Sequence, residues 1–157
     1  MKKRTAFIGA ILSLIPLGQP LIIKTGVFLS SSAVMLSLPE KVSARNAGFY
    51  FNRAFDKAEN GDHYGAIADY TKVLEIDPKD EVAYYNRAIS KDEIGDYYGA
   101  IADYTKAIEI NPNYKSAYKN RGIDKEIIGD LKGACADWQK ASQLGDQDAT
   151  QWVRNQC

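Results

Sequence analysis

Histidine and cysteine are scarce in this chain, which has one His and two Cys among 157 residues. Structural zinc sites of the usual kinds need four Cys or His ligands, so one His and two Cys exclude a dedicated site built from these residues. No Ser-His-Asp or Cys-His grouping supplies a nucleophile together with its base, and no cofactor motif accompanies one. The sequence therefore predicts no catalytic residue, no metal and no cofactor, and it predicts that the chain is not an enzyme.

An excess of basic charge is also missing. The 20 basic and 20 acidic residues give a formal net charge of zero, but the two kinds are unevenly distributed. Residues 1–44 have a net charge of +4, and residues 45–157 have a net charge of −4. A mildly acidic body without a basic stripe argues against nucleic-acid binding, because neutralisation of phosphates supplies most of that affinity.

The first 44 residues have the pattern of an export signal. Three basic residues at positions 2–4 precede an uncharged stretch, residues 5–23, and a second apolar run follows Lys24. Small residues near Ala44 stand where a signal peptidase reads, so cleavage is expected after Ala44. The segment is longer than the usual 15–30 residues of a signal peptide.

Two other interpretations of this segment stay open. A retained membrane anchor is one, since 19 uncharged residues at a rise of about 1.5 Å nearly cover a bilayer of about 30 Å. The other is a cytosolic protein whose N-terminal segment resembles an export signal but does not act as one. In both export readings the positive end stays in the cytoplasm and the body lies outside it. Contact with a membrane is expected only through residues 1–44, if they are not cleaved.

The rest of the chain is repetitive. Residues 47–80, 81–114 and 115–148 form three blocks of 34 residues, of which the first two agree at 20 positions and the last two at 15. Self-similarity at a fixed period is typical of stacked repeats, in which one unit cannot bury its apolar face without a neighbour.

Each block has the pattern of two helices. In the second block Gly95 and Asp96 separate them, because Gly suits a tight turn and Asp is a good helix N-cap. Residues 100–108 then place apolar side chains at helical spacing. Asn111 and Pro112 end this second helix, since proline cannot continue it.

These residues resemble the tetratricopeptide repeat, a helix–turn–helix unit of 34 residues. The family's small-residue positions match Ala54, Ala88 and Gly122 in the first helices and Ala66, Ala100 and Ala134 in the second. Its large aromatic position matches Tyr70, Tyr104 and Trp138, and its closing proline matches Pro78 and Pro112. The resemblance implies an all-α, right-handed superhelical solenoid of three repeats over residues 45–148, with a C-terminal capping helix over residues 149–157.

In tetratricopeptide-repeat proteins the first helices line a concave groove that holds an extended peptide or a partner helix. The family's asparagine position, whose carboxamide can bond to a peptide backbone, matches Asn52, Asn86 and Asn120. The alternative is that each asparagine satisfies the neighbouring first helix. The other groove positions carried over from the family are Phe51, Phe55, Tyr85, Ile89, Lys119 and Ile123.

Chaperone-adaptor repeats clasp a C-terminal carboxylate with a set of Lys, Asn and Arg at defined positions. In this chain only Asn86 matches that set, so a carboxylate clamp for heat-shock chaperones is not expected. A separate periodic pattern pairs the arginine after each asparagine with an aspartate of the second helix. It predicts structural ion pairs of Arg53, Arg87 and Arg121 with Asp69, Asp103 and Asp137.

The two cysteines, Cys135 and Cys157, both lie in the part of the chain that export would place outside the cytoplasm. The midpoint between them falls in the turn at residues 145–148, so two helices reversing there would bring both to the same height. We therefore expect a disulfide, which oxidising compartments favour. Two unrelated thiols are the alternative.

The sequence thus predicts a non-enzymatic scaffold that binds an extended segment or helix of another protein in assembly, targeting or quality control outside the cytoplasm. An alternative is a membrane-tethered structural module that associates with itself through the first helix near residues 46–50. The repeat style and the long N-terminal segment resemble exported bacterial proteins, including cyanobacterial ones. For such a protein the compartment would be the periplasm or the thylakoid lumen.

Overall fold

The computed structural model describes residues 46–157, and every regular element in this range is an α-helix. The helices are α1 (46–59), α2 (His63–Ile76), α3 (Glu81–Glu93), α4 (Tyr97–Ile110), α5 (Lys115–Ile127), α6 (Leu131–Gln143) and α7 (Gln147–Gln156). The predicted signal or anchor segment, residues 1–44, lies outside the described residues. Within the described range, no helix combines the length and apolar character needed to cross a bilayer.

Short turns with an aspartate cap join the two helices of each pair. After α3, Gly95 has a φ of 80°, a left-handed conformation that glycine adopts without steric cost. The Asp96 carboxylate then accepts a hydrogen bond of 3.0 Å from the Gly99 N–H, which satisfies one unpaired donor at the start of α4. Asp62 and Asp130 cap α2 and α6 in the same way. The predicted stack of helix pairs is confirmed as α1–α2, α3–α4 and α5–α6.

Helix α7 packs against α6 and begins earlier than predicted. It starts at Gln147 rather than at residue 149, because the Asp146 carboxylate caps it by accepting a hydrogen bond of 2.9 Å from the Ala149 N–H. Gly145, with a φ of 88°, makes the turn before this cap.

The apolar side of α7 completes the last cluster of the core. Trp152 packs against Trp138 of α6, with the two ring centroids 5.4 Å apart. The predicted disulfide between Cys135 and Cys157 is present, and the two Cα atoms are 5.8 Å apart. A covalent bond and an apolar contact therefore both hold α7 on α6.

Each helix pair has a core built around a small residue on its first helix and an aromatic residue on its second. In the second pair, Ala88 and Tyr104 are both fully buried. In the third pair glycine replaces the alanine and tryptophan replaces the tyrosine. A Cβ atom at Gly122 would overlap the Trp138 indole, so the larger ring fits because the residue opposite it has no side chain.

A buried aspartate on each second helix binds two basic side chains of the preceding first helix. On α4, the Asp103 carboxylate accepts hydrogen bonds from Arg87 Nε at 2.8 Å and Nη2 at 2.7 Å, and Lys91 Nζ lies 2.8 Å from it. The other two sets are Asp69 with Arg53 and Lys57, and Asp137 with Arg121 and Lys125. We call these nine residues the ion-pair ladder, and the predicted Arg–Asp pairs are confirmed.

The arginines of the ladder also connect successive helix pairs. Arg87 Nη1 donates to Thr71 Oγ1 of α2 at 3.0 Å, and Arg121 Nη1 donates to Thr105 Oγ1 of α4 at 2.9 Å. The Arg87 guanidinium stacks on Tyr84, 5.5 Å from the ring centroid. One guanidinium therefore contacts its own helix, its partner helix and the second helix of the preceding pair.

Two carboxyl groups face each other across α3 and α5. Asp124 is fully buried, and neither of its carboxyl oxygens accepts a hydrogen bond from another residue of the described range. Burial and, after it, the charge of Asp92 raise the pKa of Asp124 to about 8. Burial also raises the pKa of the half-buried Asp92. At neutral pH Asp124 therefore keeps its proton, and the pair carries at most one negative charge.

Removing one aspartate of the ladder should destabilise the stack strongly. In Asp103→Ala, Arg87 and Lys91 lose their shared carboxylate while they remain largely buried. We expect the free energy of unfolding to fall by about 3 kcal/mol, measured by urea denaturation. The matched control is Glu109→Ala, which removes the exposed pair with Lys106 and should cost less than about 1 kcal/mol. Equal losses in the two variants would contradict a structural role for the ladder.

The carboxyl pair predicts an unusual dependence of stability on pH. The unfolded chain releases the Asp124 proton near its ordinary pKa of 3.8, whereas the folded chain holds it to about pH 8. The stability that this proton contributes is therefore complete below pH 3.8 and is lost as the pH rises through 8.

Asp124→Asn cannot ionise and should be free of this loss. At about pH 9 we expect the variant to exceed the wild type in unfolding free energy by about 1–3 kcal/mol, with a smaller difference at about pH 5. Urea denaturation at both pH values measures the difference. Asp69 is an internal control, because its pKa is lowered to about 2 by the Arg53 hydrogen bond and its contribution is lost only in acid, in both proteins alike. A pH-independent difference would contradict the retention of a proton on Asp124 in the folded chain.

Candidate functional site

One side of each first helix contributes no buried residue to the core and no member to the ion-pair ladder. Residues three, four or seven positions apart share one face of an α-helix. We call the resulting surface the first-helix face. It consists of Asn52, Phe55 and Glu59 on α1, of Val82, Asn86, Ile89 and Glu93 on α3, and of Ser116, Asn120, Ile123 and Ile127 on α5. None of these residues is buried.

Each of the three first helices exposes an apolar side chain on this face. Phe55 of α1 is 48% exposed, Val82 of α3 is 40% exposed and Ile127 of α5 is 51% exposed. Ile89 and Ile123, which the sequence also predicted for the groove, are half-buried on the same face. Single exposed apolar residues are common on proteins, but here they recur on the same side of the first helices of three successive helix pairs.

The other two aromatic residues predicted for the groove lie at the edge of this face and take part in the core. The ring of Phe51 packs edge-on against Tyr70, with centroids 5.5 Å apart. The ring of Tyr85 lies 4.8 Å from that of Tyr114 and 5.7 Å from that of Tyr104. Phe51 and Tyr85 therefore support the first-helix face from below and offer it only part of their surface.

Asn120 is held by two tyrosine hydroxyls. Its Nδ2 donates to Tyr85 Oη at 3.2 Å and to Tyr104 Oη at 3.4 Å. Burial raises the pKa of both tyrosines, so their hydroxyls stay protonated at neutral pH. This asparagine joins α5 to α3 and α4, so its carboxamide has internal partners, and its bond to Tyr85 of the neighbouring first helix is what the alternative interpretation expects.

The two remaining asparagines are more available. Asn86 Nδ2 donates to the Val82 carbonyl one turn earlier at 2.9 Å, a local bond on the exposed side of α3. Asn52 is exposed on α1. The three asparagines therefore recur in sequence but differ in environment.

Lys119, predicted as a cation of the groove, is bound to the start of α7. Its Nζ lies 3.2 Å from an Asp148 carboxylate oxygen and 3.7 Å from an oxygen of Asp146. The positive charge that the sequence assigned to the third repeat is thus neutralised by the capping helix and fastens α7 to α5.

Sequence reasoning missed five residues of the first-helix face, namely Val82, Ser116, Ile127, Glu59 and Glu93. A signal for them was present, because each lies four residues from a groove position that was recognised. Val82 precedes Asn86, Ser116 precedes Asn120, Glu59 follows Phe55, Glu93 follows Ile89 and Ile127 follows Ile123. Within residues 46–157, no three His, Cys, Asp or Glu side chains are grouped to hold a metal ion.

Known proteins share both the repeat pattern and the fold. Sequence profiles of the tetratricopeptide repeat match residues 47–80 and residues 82–114. The first TPR of Spaghetti (RPAP3), solved bound to the HSP90 peptide SRMEEVD, is 26% identical with a TM-score of 0.67, and the match covers 70% of this chain and 89% of that one.

Two further structures are similar in fold. The Arabidopsis OM64 TPR domain is 22% identical with a TM-score of 0.68, covering 73% of this chain and 99% of that one. The TPR2B domain in the pHsp70 complex of yeast Sti1 is 23% identical with a TM-score of 0.66, and the match covers 70% of this chain and 94% of that one. No curated protein sequence matches the chain. The profile matches, the superhelical fold of these neighbours and the stack of helix pairs agree, and the chain is a tetratricopeptide-repeat protein.

Proposed function

We propose that the protein binds an extended segment of another protein across the first-helix face and acts as a scaffold, without catalysing a reaction. The observation that carries this proposal is the exposure of Phe55, Val82 and Ile127 on one face of three stacked helices. Each Å² of apolar surface that a ligand covers there contributes about 25 cal/mol before the costs of association. With only three repeats, we expect affinities in the micromolar range.

The solved relatives support a peptide as the class of ligand. The first and second TPRs of Spaghetti, 26% and 25% identical to this chain, were both solved bound to the HSP90 peptide SRMEEVD. The ligand of this chain is proposed to differ, because Phe51, Phe55, Ser116 and Asn120 occupy positions where a carboxylate clamp needs Lys, Asn or Arg.

Asn52 and Asn86 would fix the register of the bound segment. A carboxamide can donate one hydrogen bond to a backbone carbonyl and accept another from an N–H, so it reads the backbone without selecting side chains. Asn120 would act indirectly, by holding Tyr85 and Tyr104 in place beneath the face.

We further propose that this binding takes place outside the cytoplasm, in assembly, targeting or quality control of other exported proteins. The basic start and apolar runs of residues 1–44 support export. The bond between Cys135 and Cys157 fits an oxidising compartment such as the periplasm or the thylakoid lumen.

The first-helix face can be tested with random peptides displayed on phage and selected on the immobilised protein. We expect selected peptides to bind with micromolar Kd by fluorescence anisotropy. The double variant Phe55→Ala with Ile127→Ala should raise the Kd of these peptides at least about tenfold, because it removes two of the three exposed apolar contacts.

The matched control is Tyr64→Ala with Tyr98→Ala. These two tyrosines are 73% and 72% exposed, but they lie at the starts of second helices α2 and α4. We expect binding by this variant to equal that of the wild type, with both variants retaining the wild-type Tm. Selected peptides that bind both variants equally would contradict the proposed site, and the absence of any binding peptide would contradict the proposed function.

The export proposal makes a prediction about the N-terminus. In soluble protein isolated from cells that produce it, intact-mass spectrometry should find a chain that begins at Arg45, because cleavage is expected after Ala44. A retained anchor would instead leave the intact chain in the membrane fraction. Intact Met1 on soluble protein would contradict both forms of the proposal.

A further inference from the structure

The basic side chains of the first helices are almost all neutralised within the protein. Helices α1, α3 and α5 carry eight lysine and arginine residues, and seven of them form ion pairs. Six belong to the ion-pair ladder, and the seventh, Lys119, binds Asp148. The eighth, Lys115, is the first residue of α5; it is exposed and is next in sequence to Ser116 of the first-helix face.

The acidic side chains of the same helices are in the opposite situation. There are seven, and within the described range none forms an ion pair: Asp56, Glu59, Glu81, Asp92, Glu93, Asp124 and Glu126. Glu59 and Glu93 are exposed on the first-helix face itself. Asp56 and Glu126, also exposed, are next in sequence to residues of that face. These four exposed acids outweigh Lys115, so the net charge that remains for a ligand is negative.

The two acids of the face each follow an apolar residue by one helical turn. Phe55 precedes Glu59 on α1, and Ile89 precedes Glu93 on α3, so the same pairing recurs one repeat later. A lysine or arginine side chain fits such a pair, since its aliphatic stem packs on apolar surface while its charged end reaches a carboxylate. On α5 the equivalent pair is Ile123 and Ile127, which offers apolar surface alone.

We infer that the segment bound at the first-helix face is cationic and apolar, with lysine or arginine opposite α1 and α3 and aliphatic or aromatic side chains opposite α5. The inference rests on the proposed function and specifies its ligand. An acidic segment would be repelled, because it would bring further negative charge to Glu59 and Glu93 and would find no unpaired cation on this face. The charges guide register and choice of partner, while the apolar contacts supply most of the affinity.

The peptides selected by phage display are the probe for this inference. We expect them to be enriched in Lys and Arg and depleted in Asp and Glu relative to the unselected library. Replacing the basic residues of the tightest peptide by Gln should raise its Kd about fivefold, as expected for two solvent-exposed ion pairs, and replacement by Glu should raise it further. Added salt should reduce the differences in Kd between the selected basic peptide, its Gln version and its Glu version, because salt screens exposed ion pairs.

A double-mutant cycle assigns the effect to the two glutamates. The double variant Glu59→Gln with Glu93→Gln should raise the Kd of the basic peptide about fivefold but leave the Kd of the Gln version unchanged. The control is Glu75→Gln with Glu109→Gln, which removes the same charge from the exposed sides of second helices and should change neither affinity.

The possible failures are distinguishable. Equal affinity for the three versions, or a charge preference that survives in the Glu59 and Glu93 variant, would overturn this inference and leave the proposed function intact. Failure of every peptide to bind would overturn both. A second copy of the chain as the occupant would appear in sedimentation equilibrium as a dimer that the Phe55→Ala and Ile127→Ala variant abolishes, and that result would also overturn the inference.

Discussion

The stack depends on one interaction repeated along it, the bond between a buried aspartate and an arginine that reaches across three helices. Arg87 binds Asp103 within its own helix pair and Thr71 of the preceding pair, and Arg121 repeats the arrangement one unit later. A charge buried at this depth is tolerated only with a well-placed partner, so the geometry of neighbouring helices is constrained wherever the bond forms. Apolar contacts between repeats supply the stabilisation, and the guanidinium groups specify how the repeats lie against each other.

This arrangement also determines the charge of the surface that is left over. The ladder draws the cations of the first helices toward the second helices, where three aspartates neutralise them. Four acids of the first helices, Asp56, Glu59, Glu93 and Glu126, have no such partners and remain exposed on or beside the first-helix face. The cations of the first helices therefore stabilise the stack on one side of these helices, and the first-helix face on the other side is left negative and partly apolar. In this protein the character of the candidate site follows from the way the fold is held together.

Most of the fold could be predicted from the sequence because the residues that define each helix pair recur every 34 positions. A residue type that returns every 34 positions marks a contact made in every unit, as the Arg–Asp pairs illustrate. The features that were missed occur where the repeats differ from one another. Asn120 bonds to tyrosine hydroxyls, and Asp124 meets Asp92, because of side chains contributed by the preceding repeat. Such neighbours depend on the packing between units, which the period alone does not specify. Lys119 is a similar case, since its partner belongs to the non-repetitive helix α7.

The exchange of glycine and tryptophan in the third helix pair bears on how the chain avoids misassembly. Chains made of similar units can fold with the wrong halves combined, since each first helix resembles the others. The Trp138 indole occupies the space that a methyl group takes in the earlier units, so α6 would clash with α1 or α3, which have alanine at the corresponding position. Its shape therefore selects α5 as a partner, and the pairing of α5 with α6 is specified by steric mismatch as well as by their adjacency along the chain.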